Sequence, residues 1–195
     1  MSPPPRLILA SASPRRQQLL HEAGYEFVVR PADIDEDAAA SGMLPSEAAE
    51  HLALQKARSV APLFPYDIVL AADTVVAFGD ALLGKPADAE DARRMLRLLS
   101  GTTHIVITGV AVVHSAAGLT LNTRVMSAVH MRQMSVEEIA RYVGSNQWQG
   151  KAGGYGIQDN DPFVTRVSGC YTNIVGLPMP ETRRLLAKAG VVPRG

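Results

Sequence analysis

The chain has 195 residues, and 19 Lys and Arg balance 19 Asp and Glu, so its formal net charge is zero. Neutrality excludes a protein that lives on the nucleic-acid backbone, where a basic surplus is the electrostatic footprint, yet it admits a local basic pocket for a small anion. With 47% apolar residues the chain is too hydrophobic for disorder, and its single cysteine, Cys170, rules out both an intramolecular disulfide and a Cys-based zinc ribbon.

Strand and helix patterns alternate along the chain, which predicts an α/β fold. Leu7 to Ala10 reads as a short buried strand. Ser13 and Pro14 follow as N-cap and first residue of a helix that runs to Gly24. A second strand is expected at Phe27 to Val29, then an exposed acidic loop from Asp33 to Pro45. Ala49, Leu52, Ala53 and Ala57 recur at helical spacing between Ser46 and Val60. Ile68 to Ala72 and Thr74 to Phe78 are extended and end in a Gly79-Asp80 turn. Asp88 caps a helix ending near Gly101. His104 to Val113 and Leu119 to Met131 form a hairpin, and Ser135 with Glu138 is a capping box opening a helix to Val143. Gly144 to Gly156 is a structured loop. Strands at Phe163 to Val167 and Tyr171 to Val175 precede a closing helix from Pro180 to Ala189. No repeat and no linker interrupts this order, so residues 1–195 are expected to form one domain.

Several positions carry chemistry. A helix N-terminus is electropositive, so acids belong in its first turn. Arg15 and Arg16 stand there instead, behind Ser11-Ala12-Ser13-Pro14, and the combination suggests an anion site, most naturally for phosphate; two arginines splayed into water are the alternative. Asp73 interrupts an apolar strand, where an ionised carboxylate needs a metal, a cation or a turn. Gly79 to Pro86 nearly matches a P-loop, but Pro86 stands where Ser or Thr must ligate magnesium, so the match fails and leaves Lys85 as a cation beside a rigid turn. Of the acids Asp33, Asp35, Glu36 and Asp37, metal binding requires a distant partner, and Asp73 is the obvious one, since magnesium needs only one or two carboxylates. Lys56 lies among apolar helix positions, either snorkelling to solvent or entering a pocket. Gly150 to Gln158 offers close backbone approach, and Trp148 is either a lid or a packed anchor. The five histidines lack the spacing of a zinc motif. Only Leu7 to Ala10 is apolar near the start and no run approaches a membrane span, so the expected setting is the cytoplasm, away from membranes.

In order along the chain, Leu9-Ala10-Ser11-Ala12-Ser13-Pro14-Arg15-Arg16, Asp35-Glu36, Leu54-Gln55-Lys56-Ala57, Ala72-Asp73-Thr74-Val75, Gly84-Lys85-Pro86, Leu99-Ser100-Gly101 with His104, Lys151 to Gln158 and Val175-Gly176-Leu177-Pro178 resemble the Maf family of nucleotide pyrophosphatases. The resemblance covers about residues 7–189. It implies an elongated mixed sheet flanked by helices, with two lobes around a cleft, similar to inosine triphosphatases. It also implies hydrolysis of a nucleoside triphosphate substrate to monophosphate and pyrophosphate with a divalent metal cation (Mg or Mn), in a cytoplasmic protein that is often a homodimer.

Carried onto this chain, the resemblance makes Asp73 the catalytic base and assigns Ser11, Arg16, Lys56 and Lys85 to the triphosphate. Glu36 and Asp73 are then expected to hold the metal. Arg15, Thr74 and Gln158 match the branch acting on dTTP and UTP, whereas the branch acting on 7-methyl-GTP has Trp, Gln and Glu there. One stretch departs: where the family often reads Gly-Glu-Pro-x-Asp-Lys-Ala-Gly-Ala-Tyr, this chain has Asn146 to Tyr155 with Trp148 and no acid. The alternatives are a 7-methyl-GTP- or inosine-triphosphate-directed pyrophosphatase on the same scaffold, and a nucleotide-sensing regulator without turnover.

Overall fold

The computed structural model describes residues 4–40, 42–158 and 163–194. The strands are β1 (Leu7–Leu9), β2 (Val28–Val29), β3 (Ile68–Phe78), β4 (Ala81–Leu83), β5 (Thr103–His114), β6 (Leu119–Met131) and β7 (Val164–Ser168). The helices are α1 (Pro14–Glu22), α2 (Glu36–Ala40), α3 (Pro45–Val60), α4 (Ala89–Leu99), α5 (Val136–Gly144), α6 (Tyr171–Val175) and α7 (Met179–Lys188). All seven strands join one mixed sheet in the order β2-β1-β3-β5-β6-β7, with β4 beside β3. Among the described residues only the β1 pairings with β2 and β3 are parallel.

Side chains alternate across a strand, so the odd and even residues of β3 meet different neighbours. Ile68, Leu70 and Ala72 pack with Leu19 and Leu20 of α1 and Leu185 and Leu186 of α7. Val76 lies on the same face but packs with Met95, Leu96 and Leu99 of α4. Val69 and Ala71 face the other way onto Ala53 and Ala57 of α3, as Val75 and Ala77 do onto Ala49. One face of β3 thus carries two separate helical groups, whereas α3 lines the other along its length. A Cβ at Gly109 would stand 2.1 Å from the carbonyl oxygen of Ala49. Only glycine lets α3 approach β5 this closely.

The sheet forks where the site lies. β1 pairs with Leu70 and the two residues before it, and β4 pairs with Val76 and the two after it, both on one edge of β3. On that edge residues 71–75 meet neither strand, while on the other edge β5 pairs continuously from Val69 to Ala77. Two lobes therefore part around Asp73 and Thr74 and stay joined through β3, β5 and α3.

Three expectations change. Asp73 lies in the middle of one unbroken strand, because β5 pairs straight through it. The acidic loop contains α2, whose first turn is capped by Asp35 Oδ1 accepting from Ala38 N–H at 3.0 Å. Tyr171 to Val175 is a helix and not a strand; its β-branched residues favour strand, but Gly176, at φ +119°, receives the last turn by donating its N–H to Thr172 and Asn173 carbonyls. The Gly79 turn leads into β4, which periodicity did not indicate over so short a stretch. The capping box at Ser135 forms with both of its hydrogen bonds.

Candidate active site

The cleft at the fork has a volume of about 550 Å³ and is bordered by the β1–α1 turn, β3, Lys85 and the Gly150 to Gln158 loop. That size lies within the roughly 300–1,000 Å³ of ligand pockets. The sequence brings five cations to it, Arg15, Arg16, Lys56, Lys85 and Lys151, with two carboxylates, Glu36 and Asp73.

Lys56 is 7% exposed and Asp73 is 4% exposed, so the interior position of each is explained by the other. Lys56 Nζ donates to Asp73 Oδ1 and also meets Glu36 Oε1 at 2.9 Å. Its place among apolar positions of α3 therefore signals entry into a pocket, since Asp73 projects from β3 toward the same helix. Lys85 Nζ donates to Glu36 Oε1 at 3.2 Å and Oε2 at 3.3 Å from the far rim. Burial acts to raise the Glu36 pKa, but the bonds from Lys56 and Lys85 prevail and hold its carboxyl below the ordinary glutamate value. In this acidic stretch Glu36 reaches Asp73's lysine, and Asp35 caps α2.

Asp73 Oδ2 makes no hydrogen bond among the described residues, nor do three His, Cys, Asp or Glu side chains gather there into a metal cluster. A divalent cation of the magnesium type fits such a sparse set, because it takes one or two carboxylates and completes its shell with water and phosphate oxygens.

At the other end of the cleft the Arg15-Arg16 pair divides its work. Arg16 Nε donates to the Gly176 carbonyl at 2.8 Å, Nη1 to Ser11 Oγ at 3.0 Å and Nη2 to Thr74 Oγ1 at 3.1 Å. Burial lowers its pKa from the usual arginine value, with the charge of Asp73 pulling the other way. Gly176 suits this place through its φ of +119°, a conformation that side chains rarely adopt, and not through crowding, since a Cβ there would make only an ordinary contact at 3.4 Å with Thr74 Oγ1. Ser11 Oγ accepts from Arg16 and from Ser13 N–H at 3.3 Å, which leaves its own O–H to donate to a ligand. Ser13 occupies the N-cap position without a side-chain capping bond, and no acid enters the first turn of α1. Arg15 reaches across the cleft to the Gly150 carbonyl at 3.1 Å.

Gln158 is exposed at the cleft rim and its amide makes no hydrogen bond among the described residues. Trp148 is a packed anchor, 7% exposed, with Nε1–H donating to the Val143 carbonyl at 3.1 Å. Asn146 keeps a left-handed conformation, φ 59°, which asparagine adopts more readily than most non-glycine residues.

Two lining residues carried no assignment beforehand. Lys151 borders the cleft at 8% exposure, and the Tyr155 hydroxyl shares a 2.6 Å hydrogen bond with His104 Nε2. Burial lowers the His104 pKa to about 4, so the ring is neutral at physiological pH. A lone histidine opening an apolar strand was the available signal.

The family model described as Maf-like protein matches residues 6–189 of this chain. A dTTP/UTP pyrophosphatase of Anaeromyxobacter dehalogenans (strain 2CP-C) is 49% identical over 189 residues, covering 95% of each chain. Another of that name, from Cereibacter sphaeroides, is 48% identical over 187 residues with the same coverage. Among solved structures, a HAM1 protein from Coxiella burnetii matches with a TM-score of 0.56 at 17% identity, over 94% of this chain and 99% of that one. At that identity the likeness concerns the fold, and it agrees with the mixed sheet and flanking helices described above.

Proposed function

We propose that this chain, which belongs to the Maf family, hydrolyses dTTP and UTP to the nucleoside monophosphate and pyrophosphate. The observation that carries the chemistry is the buried Asp73 at the sheet fork, compensated by Lys56 and ringed by Arg16, Lys85 and the free hydroxyl of Ser11. Cations around a fixed carboxylate suit a polyanion that must be held while one of its anhydride bonds is broken.

Arg16, Ser11, Lys56 and Lys85 hold the triphosphate. A water oxygen attacks the α-phosphorus, its proton passes to Asp73 Oδ2, and the bond from the α-phosphorus to the bridging oxygen breaks, so the electron pair leaves with pyrophosphate. Glu36 and Asp73 would hold a divalent cation, Mg or Mn, which when bound supplies charge neutralisation to the phosphate oxygens. Gln158 presents both a donor and an acceptor to the edge of uracil or thymine. Arg15, tied to Gly150, sets the width of the cleft beside that base. No helix of the described residues is long and apolar enough to cross a membrane. The homodimer implied by the resemblance belongs to this proposal as well.

The test is pyrophosphate release from dTTP, UTP, CTP, GTP, ITP and 7-methyl-GTP, with and without magnesium or manganese. Metal-dependent release from dTTP and UTP is expected. Release confined to a purine nucleotide overturns the substrate assignment, and binding without release from any of them overturns the enzyme.

A further inference from the structure

The hydrogen bonds behind Arg16 run in one direction only. The Asn173 carbonyl oxygen has no hydrogen, so the 2.9 Å bond from Thr108 Oγ1 uses the single hydroxyl hydrogen of Thr108. The 2.9 Å contact between Thr74 Oγ1 and Thr108 Oγ1 is then donated by Thr74. With its hydrogen committed, Thr74 presents only lone pairs to Arg16 Nη2, which donates to it at 3.1 Å. Reversing any link would set two hydrogens, or two lone pairs, against each other.

Thr108 and Asn173 are both 0% exposed, so water does not compete for these groups. Asn173 is itself fixed, its Nδ2 donating to the Val106 carbonyl and to Ser127 Oγ, each at 3.0 Å. Neither Thr108 nor Asn173 lines the cleft. The chain of donors therefore runs from Arg16 of α1 through Thr74 of β3 and Thr108 of β5 to the buried Asn173 carbonyl of α6.

We propose that Thr108 is a positioning residue for the phosphate arm of the site: it orients the Thr74 hydroxyl, and Thr74 in turn holds the Arg16 guanidinium ready before any ligand arrives. This rests on Arg16 holding the triphosphate. Thr74 then acts on the phosphates through Arg16, and its effect on the base is indirect. A preformed guanidinium loses less freedom on binding than one that must be ordered by its ligand.

The experiment compares full-length wild type with Thr108→Val and Thr108→Ser. Two readouts are taken: inhibition of UTP turnover by pyrophosphate and by uridine, and the thermal shift produced by pyrophosphate, which needs no turnover. Losing one oriented hydrogen bond should weaken pyrophosphate by roughly five- to tenfold in Thr108→Val, leave uridine within about twofold, and be restored by Thr108→Ser. A role confined to stability would lower the melting temperature of Thr108→Val while leaving both inhibition constants unchanged, and that result overturns the proposal. Equal weakening of pyrophosphate and uridine overturns it too, because the effect would not belong to the phosphate arm. Arg16→Gln separates the premise: pyrophosphate bound by that variant as tightly as by wild type removes Arg16 from the phosphates and this inference with it, whatever Thr108 does.

Discussion

Replacing Lys56 by methionine should destabilise the fold more than any change at the rim of the cleft. Methionine has similar length and suits the apolar wall of α3, so packing is largely conserved. What is lost is the ammonium that compensates Asp73, whose side chain is 6% exposed. Breaking a buried ion pair from one side typically costs about 3–5 kcal/mol, because the other charge stays buried and unpaired. Glu36 loses a partner as well, but its side chain is 38% exposed and keeps Lys85, so its share is small. In a chain of this size each kcal/mol moves the melting temperature by about 2–4 °C, so Lys56→Met should melt some 6–20 °C below wild type.

The compensating variant completes a cycle. Asp73→Leu in the Lys56→Met background removes the stranded charge, and replacing a whole buried pair by apolar groups is often neutral. Urea unfolding of the four proteins should therefore give a coupling energy of about 2 kcal/mol or more, beyond the additivity error of distant sites. Additive losses, or a loss below about 1 kcal/mol in Lys56→Met alone, would mean that the two side chains do not share a buried bond.

Asp73→Asn should keep the fold, since Lys56 retains Glu36 at 2.9 Å, and should lower turnover by about 10²–10³ as a preorganised electrostatic group is lost; turnover near wild type refutes its assignment as base. Gln158→Glu replaces an amide that both donates and accepts with an acceptor-only carboxylate, so the preference for UTP and dTTP over other nucleotides should be lost in the same panel, and an unchanged profile removes Gln158 from base recognition. Glu138 is held at about 2 from an ordinary 4.5 by its bonds with Arg132 and the Ser135 backbone. A depressed acid stabilises the fold above its unfolded value and ceases to do so as pH falls through its folded value. Wild type should thus lose stability relative to Glu138→Gln between about pH 4.5 and 2, and parallel melting curves across that window would exclude the linkage.

The elements that the sequence made legible are those whose pattern is local. The alternation of Leu119 to Met131 and the capping box at Ser135 depend on neighbours a few residues away, and both form as read. Tyr171 to Val175 misled because its β-branched composition carries strand propensity, whereas its conformation is decided by Asn173, which bonds Val106 and Ser127 far away in sequence. The site divides similarly. Asp73 announced itself as a charge in an apolar strand, and Arg15 and Arg16 as cations on the wrong end of a helix. Thr108 interrupts its strand just as Asp73 does, but a hydroxyl is a weaker signal than a charge. That Lys56 stands between two carboxylates was not legible at all, since α2, α3 and β3 meet only through the tertiary fold.

The fork in the sheet also sets which amides can be used as a clock. A central strand ordinarily exchanges its backbone hydrogens only when the whole molecule opens. Along β3 the backbone groups face alternate edges, and Ile68 and Leu70 use theirs toward β1, bonding Arg6 and Ala10. Thr74 lies in the same phase, on the stretch that neither β1 nor β4 reaches. Its amide can exchange with the cleft solvent while the amide of Asp73, one residue away and turned toward β5, waits for unfolding. The middle of the strand thus carries two time scales side by side, and a ligand settling into the cleft would slow the fast one toward the slow one without any change in global stability.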